Sequence, residues 1–355
     1  MARALELARG GMATTAPNPR VGCVIVRDGQ VVGEGFHVRP GEPHAERLAL
    51  QQAGPAARGA TAYVTLEPCC HTGRTPPCTE ALLASGVARV VAAMEDPDPR
   101  VAGGGLARLR ARGVAVEAGL MASEAARLNR GFVSRVTRGR PFTTAKVGVS
   151  LDGRTALASG ESQWITGPEA RADVQRLRAV SGAVMTGAGT VRADDPRLTV
   201  HAGVTRQPLR VVVASDLAMS PAARIFAGGA GVMVLTVADG PHGDALRQAG
   251  VSVVPVGGKA GRVDLPAALA LLGAHGVNDL LVEAGPRLLA GLLDARLIDE
   301  LVVYMAPRLL GHGRPLADIT LAALSEAPGW RYDEVRRVGG DLRLTLTPGT
   351  ESDAT

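Results

Sequence analysis

Four residues in a fixed order constrain this chain more than anything else in it: His44 and Glu46 in His44-Ala45-Glu46, Cys69 after Pro68, and Cys78. For an imidazole and two thiolates to share one ion, the fold must bring three separate segments to a single point. Zinc accepts such donors in tetrahedral geometry, and its catalytic sites keep one position for water. Glu46 lies two residues from the imidazole and is free to move protons. The run Thr79–Ser85, followed by Gly86, reads as a short helix with a glycine stop. It places Cys78 near a helix N-terminus, where a thiolate is favoured.

These residue types suit hydrolytic attack on an amidine-like ring carbon. Zinc lowers the pKa of water towards neutrality, and a nearby carboxylate can pass the released proton to a ring nitrogen and then to a departing amine. That is the chemistry of nucleobase deamination. The spacing differs from the commonest pattern, which has two residues between its cysteines. Here Cys70 follows Cys69 directly, and the turn-rich stretch 70–77 must be a loop before Cys78. Cys70 and His71 therefore compete as donors. Adjacent cysteines fit one ion poorly, which favours His44, Cys69 and Cys78 as the ligands of one Zn2+ per chain.

Further motifs extend the pattern. They are TTAPNPRVGCVIV (14–26), GEPHAE (41–46), VTLEPCCHTGRTPPC (64–78) and DPDPRVAGGG (96–105). The second half carries KVGVSLDGRTA (146–156), SGESQWITG (159–167), DDPRLTV (194–200) and VEAGPRLLAG (282–291). Together they resemble the bifunctional riboflavin-biosynthesis deaminase-reductase family, in the family's order and over nearly the whole chain. The resemblance implies a cytidine-deaminase-like α/β/α layer domain followed by a dihydrofolate-reductase-like α/β domain. It implies deamination of 2,5-diamino-6-(5-phosphoribosylamino)pyrimidin-4-one to the corresponding uracil, then reduction of the ribosyl side chain to ribityl with NADPH.

The same resemblance implies residue roles. Glu46 would be the deaminase acid–base group, and Lys146 and Asp194 would polarise or protonate the reductase's reacting centre. Ser162, Arg178, Leu198, His201 and Glu283 fall at substrate positions, and Asn18 would hydrogen-bond the base or sugar. His201 stands where related proteins often carry Arg. Gly148, Trp164, Thr190 and Asp194 fall at cofactor positions, with Gly285, Pro286, Arg287, Leu288, Leu289, Ala290 and Gly291. Read as residues alone, Val282–Pro286 ends a strand and opens a helix whose backbone N–H groups could cradle a diphosphate, with Pro286 suited to the first helical position. Gly187-Ala188-Gly189 also follows a strand, but the full dinucleotide fingerprint is absent.

Composition narrows the alternatives. The net charge of +5 favours anionic ligands, but it is dispersed, and 3% aromatic residues leave no stacking surface for single-stranded nucleic acid. No long apolar run or charged-then-apolar leader is present, so neither a membrane span nor a secretory signal is expected. The expected partner is a small molecule, with no nucleic acid and no membrane, in a cytoplasmic homo-oligomer. Cys23, Cys69, Cys70 and Cys78 all lie in the first quarter, which suits metal thiols better than a disulfide framework. Cys23, within VGCVIV, reads as a plain buried strand residue. Lys146 and Lys259 are the only lysines among 39 basic residues. In so Arg-biased a chain, Lys146 suggests that an ammonium is needed there.

The 355 residues suggest two domains. Gly139-Arg140-Pro141 punctuates the chain, giving domains 1–139 and 140–355. Strands and helices alternate in both. The pattern predicts a hairpin from 21–27 and 30–33 around Asp28-Gly29, one helix over 123–138 opened by a serine cap, and a disordered tail over 349–355. Two rival functions remain at this stage. A stand-alone nucleoside or tRNA deaminase would leave the second half unused, and a non-catalytic nucleotide-binding protein should have lost Glu46 or a ligand.

Overall fold

A computed structural model describes residues 1–71, 76–99, 101–201, 206–227 and 231–349. Residues 350–355 of the expected tail, and 72–75 of the loop before Cys78, lie outside the described residues. The chain forms two compact units. One is Met1–Arg140 with Gly276–Asn278, and the other is Pro141–His275 with Asp279–Thr355. No helix among the described residues is long and apolar enough to cross a membrane.

In chain order the first unit contains α1 (Ala2–Ala8), β1 (Gly22–Arg27), β2 (Gln30–Phe36), α2 (Ala45–Ala53), β3 (Thr61–Val64) and α3 (Cys78–Ser85). It continues with β4 (Arg89–Ala92), α4 (Gly104–Ala111), β5 (Ala115–Ala118), α5 (Ala122–Leu128) and α6 (Arg130–Arg138). The strands form one sheet in the order β2-β1-β3-β4-β5. β1 is antiparallel to β2 and β3, while β3, β4 and β5 run parallel. Asp28 and Gly29 turn β1 into β2 with φ of 49° and 75°, the backbone that a two-residue hairpin loop requires. Cys23 is wholly buried, with Ile25 beyond it on the same face.

Two glycines set the depth of α2. A Cβ at Gly33 would lie 2.1 Å from the Ala49 carbonyl oxygen, and one at Gly35 would lie 2.6 Å from that of Ala45. The helix backbone therefore rests directly on the strand backbone, and this contact places the N-terminus of α2.

The single helix expected over 123–138 is instead two. α5 ends at Leu128 and α6 starts at Arg130, and Met121, not a serine, precedes α5 with φ 61° and no side-chain cap. The break has a local cause. Asn129 is buried, and its amide pairs with the backbone of Arg20 on both sides, Arg20 N–H donating to Oδ1 at 2.7 Å and Nδ2 donating to Arg20 O at 2.9 Å. An Asn side chain that bonds backbone in this way competes with helical geometry.

The second unit contains β6 (Phe142–Ser150), β7 (Arg154–Leu157), α7 (Pro168–Val180), β8 (Ala183–Gly187), α8 (Ala188–Asp194), β9 (Leu209–Ala214) and β10 (Val232–Thr236). Then come α9 (Pro241–Gln248), β11 (Ser252–Pro255), β12 (Gly258–Lys259), β13 (Arg262–Val263), α10 (Leu265–Ala274), β14 (Asp279–Val282) and α11 (Pro286–Asp294). It closes with β15 (Glu300–Ala306), β16 (Gly313–Pro315), β17 (Trp330–Val338) and β18 (Asp341–Pro348). Its main sheet runs β11-β10-β9-β8-β14-β6-β15-β18-β17. The strands from β11 to β15 pair in parallel, and the β17–β18 hairpin adds antiparallel to β15. Buried Asp173 on α7 accepts from Tyr304 Oη at 2.7 Å, Arg336 at 3.1 Å and Arg343 at 3.3 Å, tying the helix to β15 and the hairpin.

Candidate active sites

In the first unit the three expected metal donors converge. His44 Nδ1, Cys69 Sγ and Cys78 Sγ all lie within 4.8 Å of one another. The imidazole nitrogen is 3.6 Å from the Cys69 sulfur and 3.3 Å from that of Cys78. Two such ligands on one tetrahedral zinc stand about 3.5 Å apart, given Zn–S and Zn–N bonds of ~2.3 and ~2.0 Å. The donor set therefore fits zinc in both kind and spacing. Cys70 and His71 are not part of the cluster.

Each donor is placed by a helix start or a turn. His44 is the extended residue before α2, with Glu46 in the first turn. Cys78 opens α3 after Pro77, and Gly86 ends that helix in the left-handed conformation the sequence suggested. Cys69 follows β3, and its sulfur accepts the Cys78 backbone N–H at 3.3 Å. A hydrogen bond with the Cys78 thiol, against burial and with help from His44, draws the Cys69 thiol well below its usual range. The same bond, with burial, raises the Cys78 thiol.

Glu46 is 3% exposed, and its Oε2 has no hydrogen-bond partner among the described residues. A buried acceptor without a donor is costly unless a ligand provides one. Burial raises its carboxyl above the ordinary range, with the Cys69 sulfur adding to the effect. Such a shift suits a group that must both take and give a proton. Asn18 Nδ2 meets His37 Nε2 at 3.0 Å, and His37 Nδ1 meets Pro43 O at 3.3 Å. The His37 ring packs edge-on to His44 with centroids 5.1 Å apart. The sequence pattern did not mark His37, a lone histidine at the end of a strand.

In the second unit Lys146, Arg178 and Glu283 form one cluster. Lys146 Nζ is 3.1 Å from Glu283 Oε2, and Arg178 donates to both Glu283 oxygens at 2.5 and 3.0 Å. Burial opposes the charge on Glu283, but Lys146 and Arg178 outweigh it and hold the carboxyl at about 2. Arg178 also donates to Thr199 O at 3.2 Å. Its fork thus faces the protein more than the substrate expected of it. Ser162 Oγ approaches Asp194 Oδ1 at 3.5 Å, and burial raises the Asp194 carboxyl.

The remaining residues divide. Leu198 is buried, 4% exposed, with φ 52°. Exposed His201 holds its place through its backbone N–H, 3.2 Å from Gln175 Oε1. Trp164 is 61% exposed, with the Arg171 guanidinium 4.5 Å from its ring centre. Gly148 lies on β6, two residues beyond Lys146. Gly285 precedes α11, and its N–H donates to Thr190 Oγ1 at 3.2 Å. Pro286 has no N–H, which leaves those of Arg287 and Leu288 for an anion. The side chains of Leu289 and Ala290 are buried. Adjacent parallel strands β8 and β14 both end in a glycine-led helix start with no acidic residue in its first turn. That backbone suits a dinucleotide's phosphates.

Comparison with known proteins agrees with both units. The family model for the RibD C-terminal domain matches residues 141–344, and that for the cytidine and deoxycytidylate deaminase zinc-binding region matches residues 1–94. The chain is 51% identical to the riboflavin biosynthesis protein RibD of Escherichia coli, with 98% of each covered. Identity to the Haemophilus influenzae RibD is 46%, over 98% of this chain and 96% of that one. Acinetobacter baumannii RibD superposes with a TM-score of 0.92 at 44% identity, covering 98% of both chains. A Thermotoga maritima diaminohydroxyphosphoribosylaminopyrimidine deaminase/5-amino-6-(5-phosphoribosylamino)uracil reductase superposes at 0.88 with 34% identity, covering 98% of this chain and 97% of that one. Fold and sites define a bifunctional enzyme, a zinc deaminase followed by a dihydrofolate-reductase-like, NADPH-dependent reductase. The chain belongs to the RibD family of riboflavin-biosynthesis enzymes.

Proposed function

We propose that the first unit deaminates 2,5-diamino-6-(5-phosphoribosylamino)pyrimidin-4-one and that the second reduces the ribosyl chain of the resulting uracil to ribityl. The observation that carries this reading is the convergence of His44, Cys69 and Cys78 beside the unsatisfied Oε2 of Glu46. Zinc, held by those three residues, supplies Lewis acidity at neutral pH. Glu46 Oε2 takes one proton from the attacking water and hands it to the ring nitrogen; it then takes the second from the hydroxyl added to the ring carbon and gives it to the departing amine, so that ammonia leaves as the carbonyl forms. Its raised affinity for a proton lets one group serve each transfer. His37 fixes the amide of Asn18, which leaves Asn18 Oδ1 to accept from the base or sugar.

NADPH supplies the hydride in the second unit, with Thr190, Asp194 and the 285–291 backbone as its cradle. Glu283 holds the Lys146 ammonium in place and leaves it hydrogens to donate to the opened sugar. Lys146 and Arg178 together exceed Glu283 by one positive charge, which favours an anionic phosphosugar. Asp194, with its raised proton affinity, is the second candidate donor. The homo-oligomer and cytoplasmic location expected above remain part of this proposal. A paired assay tests the reactions: ammonia release from the diaminopyrimidine, then NADPH oxidation on the deaminated product. Ammonia release without NADPH oxidation would reduce the assignment to a deaminase alone.

A further inference from the structure

Glu67 stands two residues before Cys69 and is 3% exposed. No proton passes through it in the chemistry above, yet its carboxylate is fully engaged. Oε2 accepts the backbone N–H of Asp96 at 3.0 Å and of Gly103 at 2.9 Å. Oε1 accepts those of Gly105 at 2.8 Å and Leu106 at 3.0 Å. A carboxylate offers about four acceptor sites, and all are filled. Bonds of this kind to an anion are stronger than neutral ones. Gly105 and Leu106 lie in the first turn of α4, whose first N–H groups have no partner within the helix, so Glu67 caps it from another segment. The approach is close: a Cβ at residue 105 would lie 2.0 Å from Pro68 O and 3.2 Å from Glu67 Oε1.

The other side of Pro68 is held as well. The Cys69 carbonyl accepts from Thr79 N–H at 3.2 Å and from Thr79 Oγ1 at 3.3 Å. The segment 67–69 is thus pinned at both ends, to α4 by Glu67 and to α3 by Cys69. We propose that Glu67 is a positioning residue of the deaminase centre, whose carboxylate collects the N–H groups of Asp96, Gly103, Gly105 and Leu106 and thereby sets where the Cys69 sulfur stands. The inference rests on Cys69 being a zinc ligand. Supporting groups around a metal site typically control metal retention and activity by about 10- to 100-fold.

Glutamine separates positioning from packing. Glu67→Gln preserves size, but turns an NH2 donor towards two backbone donors. A space-filling role would tolerate it, whereas an acceptor role would not. The test uses the full-length protein and reads zinc transfer to a competing chelator, hydrogen exchange of the Gly105 and Leu106 amides, and deamination kcat and KM. NADPH oxidation on supplied deaminated substrate serves as the internal control. Expected for Glu67→Gln are zinc release and amide exchange each at least ~10-fold faster, kcat lower by about 10- to 100-fold, and unchanged NADPH oxidation. Glu67→Asp, which keeps the charge on a shorter arm, should recover part of the zinc retention. Wild-type zinc retention and deamination in Glu67→Gln would overturn the inference. Should Glu67→Gln not fold, Glu67→Asp is read by the same criteria, and failure of both to fold would assign Glu67 to stability and overturn it. If the unsubstituted protein binds no zinc, the ligand assignment itself fails, an outcome distinct from a harmless Glu67→Gln.

Discussion

In the deaminase unit the proposed reactive groups come from residues 44 to 78 and sit at the starts of two helices and in the segment after β3. In the reductase unit the proposed ones come from residues 146, 178 and 283, in the middle of one strand, on a helix and just past the end of another strand. The first set contains soft donors and one raised carboxyl, a combination with little use except around a metal. The second consists of common charges paired with one another, which is also how an ordinary buried ion pair is built. A short interval of rare chemistry therefore announces itself, while a dispersed set of common residues needs the fold to bring it together.

The contrast breaks most sharply on one sulfur. Cys78→Ala should abolish zinc binding and ammonia release while NADPH oxidation on supplied product continues. Metal analysis checks it, and full zinc occupancy in that variant would move the ligand to Cys70. Next in size, Glu46→Gln should keep zinc yet lower deamination by about 10²- to 10⁴-fold, the usual range for an acid–base group. Equal loss of both reactions in a folded protein would end the separation of the two centres. Lys146→Arg should cut NADPH oxidation on the order of 10²-fold and leave ammonia release intact, because a guanidinium differs from an ammonium in size and donor geometry. Steady-state rates on the two substrates decide it.

The smallest effect is one of slope. Glu283 holds its proton less tightly when folded, at about 2 against an ordinary 4.5. The stability it contributes is complete above about 4.5 and fades as pH falls towards about 2. Urea unfolding across that window should lose stability more steeply in the unsubstituted protein than in Glu283→Gln. Parallel slopes would remove Glu283 from the linkage.

Much of the fold was legible because its elements follow simple rules. The hairpin around Asp28-Gly29 and the helix that opens at Pro286 agree with the sequence expectation, since a two-residue turn and a proline at the first helical position both carry local signals. The helix over 123–138 misled, because nothing in its apolar periodicity reveals that Asn129 will pair with Arg20. The β17–β18 hairpin escaped as well: Trp330–Val338 is largely exposed and rich in charge, so it lacks the alternation that marks a half-buried strand. In the deaminase site the candidate ligands and Glu46 were named from residue type, order and spacing. Glu67 was not, because its partners are backbone amides that carry no side-chain signature. The trace it leaves is the run Gly103-Gly104-Gly105, where position 105 has no room for a side chain.

The seat of α2 on Gly33 and Gly35 carries a consequence for how this enzyme can vary. His44 and Glu46 travel with that helix, whereas Cys69 and Cys78 belong to other segments. A single methyl group added to β2 would lift one of the three metal donors, with Glu46, away from the other two without touching substrate or zinc. Two hydrogen atoms on a strand that supplies no metal donor thus act as a gauge block for the active site. A mutational survey scored only by deamination would flag both positions as if they were catalytic.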